Sequence, residues 1–266
     1  MFEDFYKRIH DIGIIPVVKL DDAAKATKLA KALINGGIPA AEVTFRTSAA
    51  EAAIKAIHEA YPQMLLGAGT VLTVGNAEKA VKAGASFIVA PGFDEEVVSW
   101  CLDHKIPVCP GVATPSEISQ GVKMGLSVLK FFPAEANGGI HMLKDLSGPF
   151  PSLKFMPTGG INLSNIAEYA KASNVLSVGG SWMVKSDLIN AEKWDEITDL
   201  CKEAERALQG LQFVHLGLNN PDSDAMEKSI SAFEHLGMTC TKRGASSSFM
   251  GAIIEVMNKQ FYGRNG

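Results

Sequence analysis

The sequence has few cysteines, no marked excess of charge and no long apolar run. Four cysteines are spread over 266 residues without a CxxC pair, so neither a disulfide framework nor a zinc knuckle is expected. The 25 Lys+Arg and 29 Asp+Glu leave a formal net charge of -4, which argues against a nucleic-acid or anionic-membrane partner. The apolar runs are too short to cross a bilayer and the N-terminal residues lack a signal-peptide core, so a cytoplasmic protein with a small-molecule ligand is expected.

Short β-branched segments alternate with Ala-rich helical patterns between residues 14 and 181. The predicted strands cover residues 14–20, 40–45, 65–71, 87–92, 106–112, 128–134, 154–160 and 175–181. Between them, apolar residues recur at spacings of three and four, which is typical of amphipathic helices. Repeated strand–helix units without a GxGxxG dinucleotide motif favour an α/β fold of the (β/α)8 TIM-barrel type over a doubly wound sheet.

The C-terminal part of the chain has a different pattern. The last barrel helix is expected to end before Gly210, so the barrel domain is predicted over residues 1–209. Residues 211–266 indicate one strand, one amphipathic helix and then short strands bounded by glycine and serine. This pattern predicts a small second α+β module with the element order βαβββ.

A lysine lies inside the sixth predicted strand, VLKFFPA. Strand alternation places Val128, Lys130 and Phe132 on one face and Leu129 and Phe131 on the other, so both faces are largely apolar. Burial disfavours the charged form of an amine, and Schiff-base formation with a ketone requires a neutral amine. The alternative is a lysine that extends to the rim, or pairs with a carboxylate, for structural reasons.

Two other lysines lie in or beside predicted strands, so position alone does not select Lys130. Lys154 begins its strand and therefore belongs to the opposite end of the barrel from the expected site. Lys19 ends its strand and is the weaker competitor.

Polar residues alternate with apolar ones in the second predicted strand, EVTFRT. Glu42, Thr44 and Arg46 share one face, which points into the barrel mouth if the apolar face packs on the helices. A glutamate there can move protons, and an arginine can hold a carboxylate or phosphate in a fork. The structural alternative is a buried Glu42–Arg46 ion pair that only fixes geometry.

Paired glycines end the last two predicted strands, in PTGG and VGGS, and a helix is expected to open after each. Glycine lets the backbone approach an anion, and the N–H groups at a helix start carry partial positive charge. Phosphate sites in such barrels commonly follow strands seven and eight. Tight turns alone are the alternative explanation.

Seven motifs together resemble one enzyme family: EVTFRT, GAGTVL, APGF, PGVATPSE, KFFPAEANGG, PTGGI and GGSWMV. They are similar to those of the 2-keto-3-deoxy-6-phosphogluconate (KDPG) aldolases, also called 4-hydroxy-2-oxoglutarate (KHG) aldolases, over about residues 8–208. The resemblance implies a homotrimeric class I aldolase, a lyase on a (β/α)8 barrel that needs neither metal nor another cofactor. It also implies a phosphorylated keto-deoxy sugar acid as the small-molecule partner.

The same resemblance implies roles for individual residues. Lys130 would form the Schiff base, Glu42 would transfer protons, and Arg46 and Thr70 would bind the carboxylate derived from pyruvate. The implied phosphate-binding group is Gly159, Gly160, Gly180 and Ser181. The implied lining of the site is Pro91, Phe132 and Thr158.

The expected reaction is cleavage of KDPG to pyruvate and glyceraldehyde 3-phosphate, a step of the Entner–Doudoroff pathway. Cleavage of KHG to pyruvate and glyoxylate is expected as a second activity. The galactonate-specific relatives show a different pattern where this chain has EVTFRT, so the gluconate epimer is favoured over 2-keto-3-deoxy-6-phosphogalactonate. A phosphosugar isomerase or epimerase without covalent catalysis, and a non-catalytic phosphosugar sensor, are the alternatives.

The C-terminal module resembles one βαβββ unit of the vicinal-oxygen-chelate (glyoxalase-like) superfamily, through FVHLGLNN, SISAFEHLGM and IIEVMN. In that superfamily a histidine on the first strand and a glutamate on the last bind a metal, which makes His215 and Glu255 candidates. A complete site takes ligands from two modules and this chain holds one, so no metal site is expected unless two subunits pair. The alternative role is docking or oligomerisation.

Overall fold

A computed structural model of the chain describes residues 2–210, 216–242, 247–251 and 254–258. The chain divides into two compact units, Met1–Leu211 and Gln212–Gly266. Within the described ranges, no helix combines the length and apolarity needed to span a bilayer.

The first unit alternates strands and helices, as predicted. Its strands are β1 (Ile14–Val18), β2 (Ala40–Thr44), β3 (Leu65–Gly69), β4 (Phe87–Val89), β5 (Val108–Cys109), β6 (Gly111–Val112), β7 (Val128–Phe131), β8 (Lys154–Pro157) and β9 (Val178–Gly180). Its α-helices are α1 (Glu3–Ile12), α2 (Ala26–Asn35), α3 (Ala50–Ala60), α4 (Val74–Lys82), α5 (Glu95–Asp103), α6 (Pro115–Lys123), α7 (Gly139–Leu146), α8 (Ile166–Ala170), α9 (Ser186–Asn190) and α10 (Trp194–Leu208). Short 3-10 turns cover Ala23–Lys25, Glu135–Asn137 and Trp182–Val184.

The strands form a curled parallel sheet in chain order. The strands β1 to β5 pair successively, β6 pairs with β7 and β7 with β8. Isolated bridges join Phe155 to Val175 and Thr158 to Gly179, and β9 pairs with β1. The fifth predicted strand is split into β5 and β6 at Pro110, which has no N–H to donate to the ladder. All the strands therefore direct their carboxyl ends to one edge.

The observed strands are shorter than the predicted ones, mainly at their carboxyl ends. The third ends at Gly69, not at residue 71, because Thr70 has φ 54° and leaves the extended region. The seventh ends at Pro157, not at residue 160, because Gly159 and Gly160 have φ 97° and 84°. The residues removed from the predicted strands are those that form the loops at the site edge.

The spacing of apolar residues and the capping side chains explain how the helices beside the sheet form. In α2, Ala30 and Leu33 are buried and Ile34 is half-buried, which fits the spacing of three and four, and the helix ends at Asn35 with Gly36 as its C-cap. At the start of α6, the Thr114 side chain caps the Glu117 N–H, and the Glu117 carboxylate accepts from the Thr114 N–H at 2.9 Å. Such a reciprocal cap satisfies two backbone donors that the helix start leaves open.

The described residues of the second unit form a four-stranded sheet with one helix. Its elements are β10 (Leu216–Asn219), α11 (Ser223–His235), β11 (Cys240–Lys242), β12 (Ser247–Met250) and β13 (Ile254–Met257). The strand order is β10-β13-β12-β11, with β10 parallel to β13 and the other pairs antiparallel. Met226, Ile230, Met250 and Val256 form its core. The described residues thus follow the predicted βαβββ order, while the resemblance to glyoxalase-like proteins stays a prediction.

Candidate active site

Lys130 projects from β7 into the interior of the curled sheet. It is 4% exposed, and its Nζ lies 3.2 Å from Glu42 Oε1. β2 and β7 are not neighbouring strands, so the contact crosses the interior of the sheet. The Phe132 ring centroid lies 5.2 Å from the same nitrogen. Among the described residues, the Lys130 amine therefore contacts the Glu42 carboxylate and the Phe132 ring.

Glu42 is the most enclosed charged residue of the site, at 1% exposure. Its Oε1 accepts from Lys130, while Oε2 is buried without a hydrogen-bond donor in the described part of the chain. Oε2 is therefore an open hydrogen-bond acceptor inside the site. The ion pair of Glu42 is thus with Lys130, and the Glu42–Arg46 pair weighed from the sequence is not observed.

A glycine on the neighbouring strand makes room for Glu42. Gly69 ends β3, and a Cβ atom there would overlap Glu42 Oε1, Cδ and Cγ. Sequence reasoning missed this residue as part of the site. The available signal was a glycine inside a predicted strand, which often marks close approach of another group.

Arg46 follows β2, on the same face as Glu42 and Thr44. Its side chain is exposed, and its Nε donates to Thr44 Oγ1 at 3.1 Å. Thr44 in turn donates to the Val18 carbonyl of β1 at 2.8 Å. The predicted polar triplet therefore shares one face, with the carboxylate inside and the guanidinium at the mouth.

Thr70 has an uncommon backbone conformation. It follows β3, is half-buried and has φ 54°, in the left-handed region that β-branched residues avoid. Such strain is found where a loop must hold a side chain in one place for function. Pro91, which follows β4, is also half-buried, so both predicted residues lie at the carboxyl edge of the sheet.

The PTGG segment forms a turn whose carbonyl groups accept hydrogen bonds from neighbouring residues. The Thr158 and Gly159 carbonyls accept from the Ala134 and Glu135 N–H groups at 2.8 Å and 3.1 Å. The Gly160 carbonyl accepts from two asparagine side chains, those of Asn162 and Asn165. The bridge between Thr158 and Gly179 involves the backbone next to Gly159, whereas no acceptor among the described residues is recorded for the Gly160 N–H. The turn thus presents a backbone donor at Gly160, as an anion site requires.

The prediction of a helix directly after PTGG is wrong. Residues 161–165 form a turn, and α8 begins only at Ile166 because Asn162 and Asn165 fold back on the Gly160 carbonyl. After VGGS, the chain forms the expected helical turn as a 3-10 segment, Trp182–Val184.

The end of β9 completes the edge. Gly180 lies against the Trp182 ring, which a Cβ atom at that position would overlap. Ser181 is exposed and lines a cleft together with Lys19, Arg46, Lys185 and Asp187. Three positive side chains and one carboxylate therefore share this cleft with the exposed hydroxyl at the ends of β1, β2 and β9.

The two competing lysines have other partners. Lys19 Nζ lies 2.7 Å from Asp21 Oδ1, and this bond holds the pKa of the Asp21 carboxyl below its usual range. Lys154, at the start of β8, donates to the Ser173 carbonyl at 2.6 Å. Lys130 is the strand lysine that contacts a buried carboxylate.

The described ranges contain no cluster of three or more His, Cys, Asp or Glu side chains that could hold a metal ion. Glu255 is half-buried in β13, whereas His215 lies outside the described residues, so the expectation that one chain holds no metal site here stays a prediction.

Three buried thiols make the stability of the first unit fall at alkaline pH. Burial raises the pKa of Cys101, Cys109 and Cys201 to about 12 each, from 9.0, and at Cys109 the nearby Glu42 carboxylate adds to the effect. The unfolded chain therefore releases these protons first, so stability that is complete below pH 9 falls as the pH rises towards 12. Each thiol lowers the free energy of unfolding by up to about 1.4 kcal/mol per pH unit in that window.

Urea unfolding at pH 8.5 to 10.5 measures this loss, with Cys101→Ala as the control. The variant should show a shallower fall than the wild type because one thiol is gone. Identical slopes for the two proteins would contradict the assignment.

Comparison with known proteins places the chain in a family. Residues 6–200 match the aldolase family described as KDPG and KHG aldolase. The chain belongs to this family. The resemblance found in the motifs is thereby confirmed, and the match lies within the first unit.

Individual members of the KDPG and KHG aldolase family are similar to this chain over most of its length. The 2-dehydro-3-deoxy-phosphogluconate aldolase of Treponema pallidum (strain Nichols) is 47% identical over 198 residues, 74% of this chain and 94% of that protein. The KHG/KDPG aldolase of Escherichia coli (strain K12) is 42% identical over 191 residues, 72% of this chain and 90% of that protein.

A solved structure of a family member is also similar. It is the crystal structure of KDPG aldolase from Legionella pneumophila with pyruvate captured at low pH as a covalent carbinolamine intermediate. The TM-score is 0.71 at 45% sequence identity, and the match covers 72% of this chain and 93% of that chain. The fold of the first unit is therefore that of a KDPG aldolase.

Proposed function

We propose that this chain is a class I aldolase that cleaves KDPG to pyruvate and glyceraldehyde 3-phosphate through a Schiff base on Lys130. The same chemistry would cleave KHG to pyruvate and glyoxylate. The observation that carries the proposal is a 4% exposed amine 3.2 Å from a 1% exposed carboxylate. In a related aldolase, pyruvate is held as a covalent carbinolamine. Binding a phosphosugar without covalent chemistry needs no enclosed amine.

The reaction begins at the amine of Lys130. Its nitrogen lone pair attacks the C2 carbonyl carbon of the substrate, and the carbonyl oxygen takes a proton to give a carbinolamine. Loss of that oxygen as water leaves a cationic iminium, which accepts the electron pair released in the next step. Glu42 lies within hydrogen-bond distance of Nζ and is the group that exchanges protons with it.

Glu42 then serves the bond cleavage. Its carboxylate removes the proton of the C4 hydroxyl, directly or through water, while the C3–C4 electron pair moves to the iminium. The aldehyde leaves, the remaining enamine takes a proton at C3, and water hydrolyses the iminium to release pyruvate. The unpartnered Oε2 supports this role because it offers an acceptor inside the site.

The remaining residues bind the two charged ends of the substrate. Arg46 and Thr70 take the carboxylate next to the iminium, which is a match for a guanidinium fork and a hydroxyl. The phosphate takes the backbone donors and hydroxyl of Gly159, Gly160, Gly180 and Ser181. The residues proposed to line the pocket between the two ends are Pro91, Phe132 and Thr158.

The finer architecture forms part of the proposal. The strand pairings in chain order, the bridges to β9 and the return of β9 to β1 support a closed (β/α)8 barrel. We propose that this barrel is the aldolase domain and that the C-terminal unit is a glyoxalase-like half-module. Homotrimeric assembly and a cytoplasmic location stay predictions from the family resemblance.

Trapping with pyruvate and borohydride tests the proposal. The iminium is reduced to a stable secondary amine, so intact mass should show one pyruvate-derived adduct and peptide mapping should place it on Lys130. Cleavage of KDPG, its galactonate epimer and KHG is then followed by release of pyruvate, and KDPG should be cleaved fastest. A protein that gives no adduct and releases no pyruvate would instead fit a phosphosugar isomerase or epimerase.

A further inference from the structure

We propose that Thr44 is a positioning residue that fixes the guanidinium of Arg46 for the substrate carboxylate. The inference rests on the proposed function, because it assigns to Arg46 the carboxylate of a 2-keto acid. It gives a role to the middle residue of the polar triplet, which that function leaves without one.

The hydrogen-bond directions at Thr44 are fixed by chemistry. Its hydroxyl lies 2.8 Å from the Val18 carbonyl oxygen, which can only accept, so the hydroxyl proton points to β1. The Arg46 Nε lies 3.1 Å from the same hydroxyl and can only donate, so the Thr44 oxygen accepts from it. Thr44 is 1% exposed, which keeps water from competing for either bond. The hydroxyl is thus held in one rotamer with its lone pair facing Arg46.

This arrangement determines what Arg46 offers to a ligand. The guanidinium is planar, so a bond at Nε fixes the plane of the whole group. No acceptor for its two Nη groups is recorded in the part of the chain that the structure describes. Those groups lie on an exposed side chain beside the cleft at the ends of β1, β2 and β9. The free donors suit a bidentate carboxylate, and preorganising them lowers the entropy lost on binding.

A second threonine provides a matched control. Thr47 lies three residues after Thr44, beyond the end of β2, and its hydroxyl donates to the Leu20 carbonyl just after β1. It therefore makes the same type of tie between these two segments, on the other side of Arg46 in sequence, but no bond from Thr47 to Arg46 is recorded. Valine at either position removes one tie and keeps the shape of the side chain. Only valine at position 44 removes the acceptor of Arg46.

Borohydride trapping at increasing pyruvate concentration separates the two effects. In Thr44→Val, the half-saturating pyruvate concentration should rise roughly tenfold, as expected when one charge-assisted contact is misaligned, while the maximal trapping rate stays the same. Thr44→Ser keeps the hydroxyl and should restore the wild-type concentration dependence. Thr47→Val should match the wild type in trapping, although both valine variants should unfold at lower temperature.

A double-mutant cycle tests whether Thr44 acts through Arg46. In an Arg46→Met background, Thr44→Val should cause no further rise in the half-saturating concentration. If Thr44→Val does not fold, Thr44→Ala serves as the second variant and should give the same rise. Equal concentration dependence of the Thr44 variant and Thr47→Val, or a full effect in the Arg46→Met background, would overturn the assignment. A wild type that forms no adduct at all would refute the proposed function itself.

Discussion

Replacing Lys130 with methionine should remove aldol cleavage, with a fall in kcat/KM of roughly 10⁴-fold or more, the scale seen when a covalent catalytic group is deleted. The reason is structural as well as chemical. The Lys130 amine lies 3.2 Å from Glu42 and is enclosed at 4% exposure, so an external amine or water has little room to replace it. Pyruvate release from KDPG, measured with a coupled assay, gives the fall, and borohydride trapping should be lost with it.

The control for this variant is a lysine on another strand. Lys154→Met removes a strand lysine that donates to the Ser173 carbonyl, and it should leave kcat/KM within about twofold of the wild type. The Lys130 variant also leaves the Glu42 carboxylate buried without its partner, which destabilises a fold by roughly 3–5 kcal/mol. A Lys130→Met/Glu42→Gln double variant relieves that charge, so it should recover stability without recovering activity. Cleavage that survives in the folded double variant would move the Schiff base to another amine.

The Lys130–Glu42 pair marks the limit of what the sequence alone could predict. Alternation in VLKFFPA and EVTFRT indicates which strand face each side chain shares, and the Thr44–Arg46 bond and the Lys130–Phe132 contact agree with it. The alternation does not indicate which side chains meet across the interior of the sheet, because β2 and β7 are far apart in sequence and are not paired. The local pattern therefore left a Glu42–Arg46 pair open, whereas the contact that forms joins residues 88 positions apart.

The carboxyl ends of the strands were hardest to place from the sequence. Apolar and β-branched runs continue past the points where the ladders end, so the predicted strands extended into the loops. What stops them is backbone conformation, with Thr70 at φ 54° and the Gly159–Gly160 turn at φ 97° and 84°. A glycine signals such a possibility, but a threonine in the left-handed region gives no signal in a single sequence. The space that Gly69 leaves for Glu42 is also visible only once the strands are paired.

The second unit shows how far pattern reasoning extends without a family match. The change in composition after Gly210 predicts a separate module, and the chain divides between residues 211 and 212. The described strands and α11 follow the predicted order because alternating apolar residues such as Met250 and Val256 pack on one helix face. The family match ends at residue 200, so it contributes nothing to this unit.

Glu42→Gln should separate iminium formation from proton transfer. Glutamine keeps the size of the side chain and can still accept from Lys130 through its carbonyl oxygen, so one pyruvate adduct should still be trapped on Lys130 by borohydride. Its amide cannot take a proton from the C4 hydroxyl or return one to the enamine. Exchange of the pyruvate methyl protons with deuterated water, followed by NMR, should therefore slow by about 10²- to 10⁴-fold, the range of a lost general base.

The matched control for Glu42→Gln is a substitution at Gly69, whose backbone lies against the Glu42 side chain. Gly69→Ala places a methyl group where Glu42 Oε1 now lies, so it should displace the carboxylate without removing it. Proton exchange should then fall by an intermediate factor, because the base remains but is misplaced relative to Lys130. Unchanged exchange in Glu42→Gln, with the adduct still on Lys130, would show that another group transfers the proton and that the enclosed carboxylate serves only to hold the amine.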